Sequence, residues 1–400
     1  MSFKMMLKVA WQSLLYRRGA VLLTIAAVAV SVFTLLGTQH VRQAAKKSFN
    51  STISGVDLIV GPRSSDINLL LTTVFRIGHP SQNMSWNSYK KLIAHKKVEW
   101  AIPISLGDSH KGFRVVGTQT QFFTQFQYGQ SRKLSYKKGR NFSNIDEVVL
   151  GAQVAKKLKY TLNIPLVLSH GLAATSFNKH TAHPFRVVGI LDATGTPVDN
   201  AIYVSLAGLE MIHQPSKNQH QLEPNSISAA LIGLTSTLST FKVQREINTM
   251  KEEPLTAILP GVALTQLWQI SRGLEKTLQL MAWLILFASL LGLGAMLLST
   301  LRERRYELSV MRILGANSKT IFLLIQIESL CLALLGILLG GLSLFIAITI
   351  ANPWVVAQYG IDIGFINITS QSLTIISSVL LGTIFVGGVP ALVGILGLSR

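Results

Sequence analysis

Arg18-Gly-Ala-Val-Leu-Leu-Thr-Ile-Ala-Ala-Val-Ala-Val-Ser-Val-Phe-Thr-Leu-Leu-Gly-Thr-Gln-His-Val-Arg42 holds 23 uncharged residues between two arginines. A helix that crosses a bilayer needs roughly 20 mostly apolar residues, so this stretch is long enough to span one. Three similar runs follow near the other end: 25 uncharged residues between Lys276 and Arg302, 33 between Glu328 and Asp362, and 37 between Asp362 and Arg400. The spans are placed at 19–39, 277–300, 321–350 and 373–398. Hydrocarbon offers the backbone no hydrogen-bond partner, so each must be a helix. Of the 400 residues 49% are hydrophobic and 14% charged, against about 25% charged in an ordinary globular chain. A disordered chain and a wholly soluble enzyme are both excluded.

Lys and Arg in the short segments set the orientation. The N-terminus carries Lys4, Lys8, Arg17 and Arg18, and the 301–320 loop carries Arg302, Arg304, Arg305, Arg312 and Lys319. The 351–372 loop has no Lys or Arg. Both termini and the 301–320 loop are therefore expected in the cytoplasm, and the 351–372 loop and the long 40–276 segment outside. That segment has 27 basic and 14 acidic residues, a net of +13. Large domains translocate largely regardless of charge, so this does not oppose the topology. Nor does the overall +19 call for nucleic acid. Residues 1–18 read as an amphipathic helix at the inner membrane face: Phe3, Met6, Leu7, Ala10, Trp11, Leu14 and Leu15 form one stripe, with Lys4, Lys8 and Gln12 off it. The apolar stretch of the first span exceeds the 7–15 residues of a signal-peptide core, so it is expected to be retained.

The expected architecture is thus four transmembrane helices, with a large mixed α/β extracytoplasmic domain between the first and second. Its core is placed at about 40–105 and 200–276, around an inserted subdomain at about 106–199. Short apolar runs at 57–60, 147–151 and 201–204 read as strands. So do Phe113-Arg-Val-Val-Gly117 and Phe185-Arg-Val-Val-Gly189, the same pentapeptide 72 residues apart. Helices are expected at 41–53, 86–95, 152–159, 206–212, 241–250 and 264–276, the last running into the second span. Lysine pairs such as Lys137-Lys138 suit a solvated face, or contact with anionic headgroups or an acidic partner. The single cysteine, Cys331, lies in the third span, so the domain has no disulfide.

Signals for chemistry in this chain are few. It has no Gly-Lys dipeptide and hence no phosphate-binding G-x-x-x-x-G-K loop, no G-x-S-x-G and no H-E-x-x-H. No catalytic residue is assigned and no bound cofactor expected. His170, His180 and His183 are weak metal candidates, with a plain polar loop as the alternative. The informative stretch is Leu301-Arg-Glu-Arg-Arg-Tyr-Glu-Leu-Ser-Val-Met-Arg-Ile-Leu-Gly-Ala316. It is dense in charge, places Tyr306, Val310, Ile313 and Leu314 on one helical face, and has a stop at Gly315. Such a helix suits docking into a groove of a soluble partner. Glu328 lies about two turns into the third span, where a carboxylate is costly; it is either functional or reaches the interface. Gly336 and Gly340 make a G-x-x-x-G suited to close helix packing.

The layout resembles that of MacB/FtsX-type ABC transporter permeases, which include the lipoprotein-releasing LolC and LolE. Glu307-Leu-Ser-Val-Met-Arg-Ile-Leu-Gly-Ala316 is similar to the family's E-I-G-x-L-R-A-L-G-A element. Gln326 and Glu328 match a position opening its third span. Residues 147–158 and 185–206 resemble its V-V-L-G-x-x-V-A-x-x-L and V-V-G-I-L…V-x-L segments. Ser309 replaces a usual glycine, and 107–110, 194–199 and 253–261 differ from MacB and LolC, which points to a distinct branch. The resemblance implies a bacterial inner-membrane permease that works by mechanotransmission. A dimer of separate cytoplasmic ABC ATPase subunits, holding ATP and Mg, would push on a coupling helix that includes Arg304, Arg305, Glu307, Leu308, Met311, Arg312, Leu314 and Gly315. It also implies a second permease copy or paralogue, contact with membrane lipid, and an envelope substrate such as a lipoprotein, lipid, peptide or drug. The alternatives are an FtsX-like regulator that activates a periplasmic partner, and zinc- or metal-linked transport.

Overall fold

The computed structural model describes residues 3–80, 82–170, 184–213, 223–359, 363–364 and 369–397. They form two units: a helical one, 1–43, 272–351 and 364–400, and a sheet domain, 44–271 and 352–363. The helical elements are α1 (Phe3–Tyr16), α2 (Arg18–Ser51), α3 (Pro260–Glu303), α4 (Arg305–Ile313), α5 (Ser318–Tyr359) and α6 (Ser370–Gly397). Among the described residues four helices, α2, α3, α5 and α6, are long and apolar enough to cross a membrane. Helices α2, α3 and α5 outrun the apolar stretches that reveal them, because a helix continues while its own hydrogen bonds do, whereas apolarity marks only the length that lipid can cover.

The helical unit packs along narrow stripes. On α2, Val21, Ile25, Val28, Val32 and Leu35 point inward at alternating spacings of four and three; on α3, Ala282, Leu286, Leu290, Leu293 and Leu297 answer them. Such spacing keeps one seam facing its neighbour. The hydroxyls of Ser31 and Ser289 share a hydrogen bond of 2.8 Å across that seam. On α1 the apolar stripe divides: Ala10 and Leu14 are buried, while Leu7, Trp11 and Leu15 stay exposed. Gly336 and Gly340 of α5 lie against α2. A Cβ on Gly336 would meet Val28 at 2.6 Å, and one on Gly340 would meet the Ala29 carbonyl oxygen at 2.6 Å. Here the G-x-x-x-G is a close-packing device, since only a missing side chain admits the neighbouring backbone.

In the sheet domain the long strands are β1 (Leu58–Pro62), β2 (Val98–His110), β3 (Phe113–Thr118), β4 (Tyr136–Gly139), β5 (Glu147–Leu150), β6 (Phe185–Leu191), β7 (Ala201–Ser205), β8 (Ala229–Leu234) and β9 (Leu255–Ile258). They join in one sheet, in the order β9-β1-β8-β2-β3-β7-β5-β6-β4. The 13-residue β2 pairs with β8 through its first half and with β3 through its second, so it joins the two ends of the sheet. The strands of the 106–199 segment thus extend the sheet begun outside that segment. Strand β2 is absent from the sequence reading because Pro103 and the Gly107-Asp108 bulge look like strand breakers.

The two Phe-Arg-Val-Val-Gly strands take equivalent places: β3 lies parallel to β7, β6 lies parallel to β5, and β7 and β5 pair antiparallel between them. Successive side chains along the strands enter core clusters on opposite faces, as a two-residue period requires. Ile59, Ile102, Val116, Val149 and Tyr203 enter one core cluster with Phe122, Phe123 and Phe126. On the opposite face Leu58, Val60 and Ile232 pack on helices Trp86–Ile93 and Thr240–Asn248. Val148, Leu150 and Ile202 pack on Ala152–Leu158 and Leu206–His213.

At the head of β5, Glu147 is only 1% exposed. Arg140 grips it with two hydrogen bonds, of 2.7 and 2.8 Å, and the backbone N–H groups of Ser143 and Asn144 donate to it at 2.7 and 3.2 Å. The Arg140 hydrogen bonds outweigh burial and, with those N–H groups, pull the carboxyl down to about 2.

Replacing Gly340 with Leu should lower the thermal midpoint of the purified protein, overpacking costing about 1–3 kcal/mol. Gly341→Leu, where an added Cβ meets nothing within 4 Å, is the control and should melt like the native chain. Because the folded pKa of Glu147 lies below its ordinary value, its contribution is present in full above about 4.5 and is lost as pH falls towards about 2. Glu147→Gln should therefore cost about 3 kcal/mol at pH 7 and progressively less in denaturant titrations at lower pH. A deficit unchanged at pH 2 would contradict the assignment.

Candidate functional site

Between α3 and α5 the chain makes a tight elbow. Helix α3 ends at Glu303, Arg304 leaves the helical conformation with φ −94° and ψ 12°, and α4 begins at once. At the far end the Ala316 N–H donates to the Met311 carbonyl and the Gly315 N–H to the Arg312 carbonyl, each at 2.9 Å. Gly315 has φ +94°. This pair of bonds is the Schellman stop, which needs a left-handed residue just past the helix and so favours glycine. The helix and its stop stand where the sequence places them.

One face of α4 is held by the rest of the helical unit. Leu308 is 3% exposed and packs with Ile321 and Ile325 of α5 and Ala391 of α6, with Met311 beside them. Arg304 is the polar anchor. Its guanidinium donates to Glu328 Oε1 on α5 at 2.8 Å, to Glu307 Oε2 on α4 at 2.9 Å and to Ser13 Oγ on α1 at 2.7 Å. Burial by itself would lower the Arg304 pKa; the Glu328 and Glu307 carboxylates outweigh it and hold the group above its ordinary value. Glu328 is 4% exposed, which answers what this carboxylate does inside the third span: it receives the arginine at the elbow. Nearby, Arg17 pairs with Glu303 at 2.8 Å, and Arg312 donates to Ser318 Oγ at 3.2 Å. Gln326 reaches α6, donating to the Ile384 carbonyl at 3.0 Å.

The opposite face of α4 is apolar and uncovered. Tyr306 is 81% exposed and Ile313 84%, with Leu314 and Val310 exposed beside them. Among the expected coupling residues, Leu308, Met311, Arg304 and Glu307 thus tie α4 to its own chain, whereas Leu314 joins the outward face with Tyr306, Val310 and Ile313. The sequence places Arg304 among the positive charges of the loop and in the expected coupling helix but does not mark it as a hub, because two of its three partners are 24 residues ahead and 291 behind.

His180 and His183 lie outside the described residues. His170 ends the two-residue strand Ser169–His170, paired with Asp108 on β2. Among the described residues no three His, Cys, Asp or Glu side chains gather as a metal site would require.

Two family descriptions match the chain: the MacB-like periplasmic core domain over residues 21–250, and the FtsX-like permease C-terminal over 280–400. No curated protein matches. Among solved structures, the periplasmic region of MacB from Actinobacillus actinomycetemcomitans is 12% identical, with a TM-score of 0.36 over 54% of this chain and 94% of that one. The extracellular domain of the noncanonic ABC-type transporter YknZ from Gram-positive bacteria is 13% identical, with a TM-score of 0.32 over 51% of this chain and 98% of that one.

Breaking the Arg304–Glu328 pair from the arginine side should destabilise the helical unit by about 3–5 kcal/mol, since it strands the buried Glu328, and removing Glu328 should cost less because Arg304 keeps Glu307. The double variant Arg304→Met/Glu328→Met should recover most of that loss. Thermal unfolding of the singles and the double in the same detergent reads the coupling, and losses that merely add would show that the two do not act as a pair.

Proposed function

We propose, since the chain belongs to the MacB/FtsX-type ABC transporter permeases, that α4 is the helix through which a separate ATPase subunit drives this membrane subunit. The chain is a multi-pass membrane protein and the membrane subunit of an ABC transporter. The observation that carries the coupling role is the two-faced character of α4. Tyr306, Val310, Ile313 and Leu314 face outward without a cover, while Leu308 and Arg304 fasten the other face to α5, α6 and α1. An exposed apolar face of this kind suits a groove on a protein partner. A fastened inner face suits the transmission of force, because a push on α4 meets packed side chains and a buried ion pair rather than a loose loop.

In this reading ATP and Mg are bound by a dimer of partner subunits, and ATP hydrolysis is their chemistry. Closure of that dimer displaces α4, which carries with it the ends of α3 and α5. Helices α2 and α3 each run unbroken beyond their apolar windows, to Ser51 and back to Pro260. Motion at the elbow is thereby relayed to the domain that handles an envelope substrate on the outer side. A second permease copy or paralogue completes the assembly, which sits in the bacterial inner membrane with both chain ends in the cytoplasm.

Ile313→Glu combined with Leu314→Glu should reduce the amount of ATPase subunit co-purifying with the permease by roughly thirtyfold, as expected for charges placed at the centre of an interface. Membrane insertion and the melting temperature should be unchanged, since both side chains are exposed. Normal recovery of the ATPase with this variant would remove α4 from the coupling role.

A further inference from the structure

Within the sheet domain lies an open cavity of about 560 Å³, in the size range of small-molecule sites. Four cationic residues line it, Arg76, Lys111, Arg114 and Lys157, and no carboxylate does among the described residues. They come from three places in the chain: the turn after Phe75, the β2–β3 hairpin and the end of helix Ala152–Leu158. The cluster is therefore a product of the fold and not a charge run in the sequence. Phe49, Phe75 and Phe113 add aromatic wall.

The charges are held in place. Arg76 donates to the Pro197 carbonyl at 2.7 Å and to the Tyr203 hydroxyl at 2.9 Å, and its guanidinium lies over the Tyr203 ring. Arg114 donates to the Gly78 carbonyl. Arg76 and Lys111 both occupy left-handed backbone, at φ 57° and 48°, where a long side chain is uncommon. Lys111 and Gly112, the latter at φ 85°, form the two-residue turn that joins β2 to β3.

Two polar atoms at the cavity remain unsatisfied. The Arg76 Nε–H and the Asn200 side-chain oxygen are buried and meet no partner. Burial lowers the Arg114 pKa, and the neighbouring Arg76 charge lowers it further. An anion between the two arginines would relieve that repulsion. Guanidinium groups match the oxygens of a phosphoryl group in geometry and charge.

We propose that this cavity binds the phosphoryl group of an organic phosphate ester, with the organic part resting on the aromatic wall. Such an ester is either a membrane phospholipid or a soluble metabolite, and the same residues would hold both. The full-length protein in an uncharged maltoside detergent is titrated calorimetrically, at fixed low ionic strength, with n-hexyl phosphate, glycerol 3-phosphate and inorganic phosphate. Both esters should bind saturably, and tighter than inorganic phosphate. Lys111→Asn keeps a residue tolerant of the left-handed turn, and Arg114→Gln keeps a polar side chain. Each should weaken ester binding roughly tenfold, the loss of one charged hydrogen bond. Lys138→Gln, away from the cavity, should bind like the native chain, and an unchanged melting temperature for Lys111→Asn shows that its fold is intact. Tighter binding of n-hexyl phosphate than of glycerol 3-phosphate assigns the ligand to lipid; equal or weaker binding assigns it to a soluble ester. Saturable binding of neither ester, esters no tighter than inorganic phosphate, or both variants binding them as the native chain does, would overturn the proposal.

Discussion

A peptide group inside hydrocarbon must find its hydrogen-bond partner within the protein, because lipid has none to give. Nearly every feature of the helical unit follows from that constraint. The four long apolar runs are helices for this reason, and their polar side chains turn towards one another. Ser31 meets Ser289, Gln326 meets a carbonyl of α6, and Glu328 meets Arg304. Oil is as apolar as leucine, so the helices gain little by hiding their apolar faces; close approach has to hold them together. Gly336 and Gly340 supply it against α2.

The elbow is where this constraint becomes a device. A guanidinium and a carboxylate that are both nearly buried would be a liability if left alone. Together they tie the start of α4 to α5, with Ser13 of α1 as a third partner. Leu308 ties the middle of the same helix into an apolar cluster. The short helix is thus fixed along one face and bare along the other. That asymmetry distinguishes the elbow from an ordinary positively charged loop, which needs neither a buried leucine nor a glycine stop.

The sheet domain follows different rules, since water can satisfy its surface and the sheet its interior. Its strands are buried on both faces, one by a continuous aromatic-rich cluster and the other by two separate pairs of helices. Strand β2 holds the domain together by pairing with β8 at one end and β3 at the other. The hairpin that follows β2 carries Lys111 and Arg114 to a cavity that also receives Arg76 and Lys157. Their charges stand together only because the fold brings three segments side by side.

What the sequence determined by itself is everything governed by local physics. Runs without charge state the spans, unequal lysine and arginine state an expected topology, and the spacing of Tyr306, Val310, Ile313 and Leu314 with Gly315 behind them states a short amphipathic helix and its stop. Six helices and five of the nine long strands of the domain are legible in the same way, because periodicity and turn residues act within a few positions. Only the tertiary structure decided which face of α4 is covered, that Glu328 answers Arg304, that Pro103 and Gly107 sit inside one long strand, and that the two Phe-Arg-Val-Val-Gly strands occupy matching places. Each of these depends on residues far apart in the chain, and the energy of such a contact depends on a distance that no local pattern encodes.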